Sequence, residues 1–135
     1  MEHHVIAALS LQAPRTIRDS LETKYALMMD RGLLDDVKVM ASEAVTNSVV
    51  HSGRPDGDPI SLSSNVTDGV LRVEIGDDGQ GVANLSARSL DPPSGLGYLD
   101  ILSDRWSSHQ NGTFIVWFEI DVTSHTMLAR ANTMI

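Results

Sequence analysis

Apolar residues recur in two different periods along the chain, and the switches between them divide it into elements. Residues 5–11 alternate loosely, which predicts a first, edge strand. In "APRTIRDSLETKYALMMDRG" the spacing changes to that of a helix, with Ile17, Leu21, Tyr25 and Met28 near one face. Pro14 suits the first turn of this helix and Gly32 its end. Asp35 or Asp36 is the predicted N-cap of a second helix. That helix buries Val37, Met40, Ala41, Ala44, Val45 and Ser48 and stops near Gly53. The methionines Met28, Met29 and Met40 read as core.

"RPDGDP" is dense in turn residues and predicts a loop. Two alternating runs follow, "ISLSSNV" and "VLRVEIG", joined through Asp68-Gly69, a strong hairpin signal. In the second run Leu71, Val73 and Ile75 face one way and Arg72 and Glu74 the other, so one sheet face is buried and one is polar. From Asp77 to Gly97 the pattern breaks into Gly, Ser, Asp and Pro. A structureless stretch of that length inside a compact domain usually marks a functional loop. "YLDILSDRW" resumes helical spacing through Leu99 and Leu102. "NGTFIVWFEIDV" predicts a turn at Asn111-Gly112 and a strongly β-prone last strand. The order is strand, helix, helix, strand, strand, loop, helix, strand, strand. It predicts a two-layer α/β sandwich, a mixed and mostly antiparallel sheet with about three helices on one face. One domain over residues 1–122 and a patternless tail over 123–135 account for the chain.

Composition narrows the function. With 135 residues and 41% hydrophobic content, the chain has the makings of one globular domain. A formal net charge of −8 argues against a nucleic-acid-binding surface. There is no cysteine, which rules out a disulfide framework, a thiolate metal site and a Cys nucleophile, and fits a cytoplasmic setting. No apolar run approaches the roughly 20 residues that span a bilayer, and "MEHHVIAALSL" lacks the basic start of a secretory signal.

Three clusters carry candidate chemistry. Glu43, Asn47 and His51 are each four apart, so they form one stripe on the second helix. "IGDDGQGV" sets Asp77 at the end of a buried strand, with Gly79 and Gly81 letting backbone come close to a flat ligand. "SGLGYLDIL" opens a helix with Gly95 and Gly97, where free backbone N–H groups attract phosphate. Each has an ordinary structural reading alone: a solvated helix face, a tight turn, a Gly-rich helix entry. The last is neither a P-loop nor a dinucleotide fingerprint, because G-K-[ST] and the third glycine are missing.

In this order the three clusters resemble the nucleotide-binding fold of the GHKL ATPases, the superfamily of gyrase, the large heat-shock chaperones, histidine kinases and mismatch-repair proteins. The N-box is Glu43 to Asn47, the G1 box Asp77-Asp78-Gly79-Gln80-Gly81, and the G2 box Gly95-Leu96-Gly97. "SEAVTNSVVHSG", "DRW" and "GTFIVWFEI" are similar to the small single-domain branch of bacterial anti-sigma-factor serine kinases. The resemblance implies a Bergerat-type ATP-binding fold that uses ATP and Mg²⁺. It implies Asn47 as the magnesium ligand and Asp77 as acceptor of the adenine amino group. Gly79 and Gly81 would give room for the base, Gly95, Leu96 and Gly97 would face the phosphates, and Thr113 would support Asp77 and adenine. Glu43 would be the catalytic base toward a substrate hydroxyl or water. His51 matches a histidine common in the branch, but reads better as a helix-end residue. Arg88 is the single cation between Gly81 and Gly95. The sequence departs from the pattern in lacking a further G2 glycine and in carrying Gln80 for a frequent proline.

The resemblance further implies a serine/threonine protein kinase in a bacterial partner switch, with an anti-sigma-factor antagonist and a sigma factor as partners, and no direct contact with nucleic acid or membrane. Relatives commonly form homodimers, and an edge strand at residues 5–11 would allow one. Two alternatives stand beside it: a protein-binding module without kinase activity, and the catalytic domain of a larger histidine kinase or regulator.

Overall fold

The computed structural model describes residues 2–79 and 96–122. The predicted loop around Gly81, Arg88 and Gly95, and the tail over 123–135, lie outside the described residues. The elements are β1 (His3–Ala8), α1 (Ala13–Tyr25), α2 (Arg31–His51), β2 (Pro59–Thr67), β3 (Val70–Asp77), α3 (Gly97–Leu102), β4 (Arg105–Asn111) and β5 (Thr113–Asp121). The strands form one sheet in the order β1-β2-β3-β5-β4. Every described pairing is antiparallel, in line with the mostly antiparallel sheet expected. Two of the pairings, β2–β3 and β4–β5, follow from hairpin turns: Asp68 and Gly69 both take positive φ, as does Gly112, and such turns reverse the chain within a few residues.

Alternation decides which sheet face is buried. Ile60 and Leu62 of β2, Leu71, Val73 and Ile75 of β3, and Phe114, Val116, Phe118 and Ile120 of β5 point into one core. From the other side α1 inserts Ala13, Ile17, Leu21 and Tyr25, and α2 inserts Leu34, Val37, Met40, Ala41, Ala44 and Val45. The opposite sheet face is polar. There Arg72 lies 4.1 Å over the Trp117 ring and pairs with Glu74 and Glu119. At the edge of the core the Tyr25 hydroxyl meets the Ser64 hydroxyl at 2.7 Å, which satisfies two polar groups among apolar neighbours.

Helix boundaries depart from the expectation. α1 ends at Tyr25 and not at Gly32, which lies in the first turn of α2. The cap of α2 is Asp30, whose side chain accepts from the Leu33 N–H, in place of Asp35 or Asp36. All three aspartates have capping chemistry; the reversal between the helices selects Asp30. Arg18 donates to Ser42 and Lys38 pairs with Glu22, so α1 and α2 run antiparallel. Asp35 lies inside the helix, where it pairs with Arg31 one turn earlier. Met28, left beyond the end of α1, is 62% exposed, which corrects its place in the core, whereas Met40 is buried. Trp106 belongs to strand β4 and not to the helix before it.

Candidate functional site

α2 packs against both β3 and α3. That arrangement brings together what the sequence kept far apart: the polar stripe of α2, the C-terminal end of β3 and the start of α3. On α2, successive residues turn by about 100°. Glu43 therefore sits on the rim of the buried face, Asn47 about 40° further in, and Ser48 about 140° from Glu43, pointing into the core.

Asn47 is 2% exposed. Its Oδ1 and Nδ2 are both buried and, among the described residues, neither has a hydrogen-bond partner. Buried amides are nearly always satisfied, so this one is set for a partner that the described residues do not supply. Glu43, one turn away, is half-buried, and burial raises its carboxyl pKa above the usual carboxylate range. His51 closes the stripe as the half-buried last residue of α2.

Asp77 ends β3 and is 1% exposed. Its Oδ2 accepts from the Ser48 hydroxyl at 2.6 Å and its Oδ1 from the Gly79 N–H at 2.7 Å. The second bond is an Asx-type turn, in which an aspartate binds the backbone two residues on. Ser48, expected only as a core residue of α2, joins the Asp77 carboxylate through its own bond. Its signal was available: a hydroxyl on the buried face of a helix needs a partner.

Leu96 caps α3 and is fully buried, and Gly97 is its buried first residue. Thus Glu43, Asn47, Asp77, Gly79, Leu96 and Gly97 lie on elements that meet, while Gly81 and Gly95 lie outside the described residues. Thr113 does not join them. Asp77 pairs with Phe114, so the neighbouring Thr113 points to the other sheet face. There its methyl lies 3.2 Å from where a Cβ on Gly76 would stand. Thr113 and the Asp77 carboxylate therefore lie on opposite faces of the sheet.

The donor set bears on the implied metal. Among the described residues no group of three or more His, Asp or Glu could hold an ion by itself. A single buried amide oxygen, that of Asn47, fits a cation that takes most of its ligands from water and phosphate, as Mg²⁺ does at nucleotide sites. Among the described residues no helix is long and apolar enough to cross a membrane.

Comparison with known proteins agrees with this geometry. A profile of the histidine kinase-like ATPase domain matches residues 7–113. Among curated proteins, the anti-sigma F factor of Clostridium acetobutylicum is 34% identical over 59 residues, 44% of this chain and 41% of that protein. The anti-sigma F factor of Geobacillus sp. (strain WCH70) is 40% identical over 53 residues, 38% of this chain and 36% of that protein. The matched stretch thus spans about two fifths of the length of these relatives. Among solved structures, the Acinetobacter baumannii histidine kinase AdeS superposes with a TM-score of 0.51 over 87% of this chain and 68% of that one, at 14% identity, a likeness of fold. With an antiparallel sheet under its helices, an Asn-bearing N-box helix against a strand-end aspartate, and a profile match over most of its length, the chain belongs to the histidine kinase-like ATPase domain family.

Proposed function

We propose that this chain binds Mg-ATP and acts as a serine/threonine protein kinase of the anti-sigma type, transferring phosphate to a small antagonist protein in a cytoplasmic partner switch with a sigma factor. The observation that carries the reading is Asn47: a buried amide with no partner among the described residues, one turn from a half-buried carboxylate and next to the serine that holds Asp77. Similarity to the anti-sigma F factors supports the choice of partners.

Each residue has a defined task in this reading. Asp77 accepts a hydrogen bond from the adenine amino group, and the backbone at Leu96 and Gly97 faces the phosphates. The Asn47 oxygen would hold Mg²⁺, whose charge offsets that of the phosphates near a protein of net charge −8. The acceptor hydroxyl attacks the γ-phosphorus; a new O–P bond forms, the bridging P–O bond breaks and ADP leaves. Glu43 takes the hydroxyl proton. Burial raises its pKa, which makes it a stronger base than a surface carboxylate.

The test is phosphorylation of a candidate antagonist encoded beside this protein. Wild type with Mg-ATP is expected to label it, and Glu43→Gln to label it about 100-fold more slowly or worse, the usual size of a general-base contribution. Equal labelling by Glu43→Gln removes Glu43 from the mechanism. Tight partner capture without any labelling, together with ATP binding, makes the chain a nucleotide-controlled binding module.

A further inference from the structure

The phosphoryl-transfer chemistry leaves one buried hydroxyl of this site without a task, that of Ser48. We propose that Ser48 is a positioning residue for nucleotide selection: its hydroxyl holds the Asp77 carboxylate in the orientation that accepts the exocyclic amine of an adenine base. The inference rests on the ATP reading above and deepens it.

The geometry is a two-point clamp. Ser48 donates to one carboxylate oxygen at 2.6 Å and the Gly79 N–H to the other at 2.7 Å. Ser48 is 2% exposed, its acceptor Asp77 1% exposed, and Gly79 is buried, so water does not substitute easily for either donor. The terminal torsion of an aspartate is broad and roughly two-fold, so a carboxylate held at one oxygen can still swing. Held at both, it cannot. A carboxylate accepts about four hydrogen bonds in all, so the Ser48 and Gly79 donors do not by themselves exhaust it. Ser48 also links two boxes, since it stands directly after Asn47 on α2 while its bond reaches β3. A serine inside a helix can instead turn its hydroxyl back to the carbonyl four residues earlier. Here the hydroxyl is directed to Asp77.

Base recognition at Asp77 is separable from phosphate binding. A site built to accept an amine discriminates against the analogue that lacks it, and discrimination fails when the acceptor is misplaced. Alanine is the best helix former, so Ser48→Ala leaves α2 intact while removing the hydroxyl.

The experiment is calorimetric titration of the full chain in Mg²⁺ with ATP and with purine riboside triphosphate, which lacks the 6-amino group. Wild type is expected to bind ATP more tightly than the analogue. Ser48→Ala is expected to weaken ATP by about tenfold, the size of one hydrogen bond to a charged group, and to leave the analogue unchanged, so the preference collapses. Ser48→Cys, nearly the same size with a weaker donor, is expected to fall between the two and serves as the readout if the alanine chain does not fold. Equal weakening of both nucleotides, or no change in either, overturns the proposal and leaves Ser48 a fold-supporting residue. If wild type binds neither nucleotide, the ATP reading fails first and the role of Ser48 fails with it.

Discussion

Replacing Asn47 by leucine tests the site through stability, before any activity is known. Leucine has the same branching as asparagine but no polar atoms. In the folded chain both polar atoms of Asn47 are buried and, among the described residues, unpartnered. A buried polar group without a partner costs about 1–3 kcal/mol relative to water, and Asn47→Leu removes that cost. The larger methyl groups take back part of the gain if the pocket is tight. For a domain of this size 1 kcal/mol corresponds to about 4 °C in Tm, so the variant is expected to melt about 4–12 °C above wild type without nucleotide. Mg-ATP reverses the comparison. At 100 times its Kd a ligand adds about 2.7 kcal/mol of stability; wild type gains this increment and Asn47→Leu gains none. Thermal and urea unfolding, each with and without Mg-ATP, give the four numbers needed. Two results refute the reasoning. A variant less stable than wild type without nucleotide means that the amide is satisfied in the folded protein. A variant that keeps the full Mg-ATP increment means that Asn47 does not hold the ligand.

Other outcomes follow from the same contacts. Because burial raises the Glu43 pKa, the ionised form is disfavoured in the folded state, and stability falls as pH rises from the unfolded value through the folded one. Glu43→Gln is therefore expected to be more stable than wild type at pH 7 and to lose that advantage toward pH 3, as read by urea melts across pH. Arg31 and then Lys38 hold the Glu22 carboxyl down to about 2, so its stabilising effect is full above about pH 5 and fades toward pH 2. Glu22→Gln is expected to lower Tm at pH 7 by a salt-sensitive amount and to match wild type near pH 2. A Cβ on Gly76 would stand 2.8 Å from the Ser61 Oγ and 3.2 Å from the Thr113 methyl. Gly76→Ala is expected to cost about 1–3 kcal/mol in chemical denaturation, with Ser61→Gly in the same chain recovering part of it. Tyr25→Phe leaves the buried Ser64 hydroxyl without its 2.7 Å partner and is expected to cost about 1 kcal/mol.

Much of this protein is legible in its sequence, because local periodicity and turn chemistry are written in adjacent residues. The alternation of Leu71, Val73 and Ile75 set the buried face of β3, and the structure buries all three. Asp68-Gly69 and Asn111-Gly112 announced their turns, and both glycines have positive φ. The buried stripe of α2 from Val37 to Ser48 followed from helical spacing alone. The three boxes were likewise visible as residue types in order.

Tertiary structure decided what depends on residues far apart in the chain. Local propensity could not choose among Asp30, Asp35 and Asp36 as the cap of α2; the antiparallel packing of α1 and α2 chose. Nor could it tell that Met28 falls beyond the helix and outside the core. Thr113 follows a glycine turn in sequence, but only the β3–β5 register shows its side chain on the opposite face from Asp77. The bond from Ser48 to Asp77 spans 29 residues, so no periodicity reports it. Sequence determined which chemical groups the chain carries and on which face of each element they lie. Only packing, which brings α2 against β3, decided that a buried amide, unpartnered among the described residues, and a clamped carboxylate lie on facing elements.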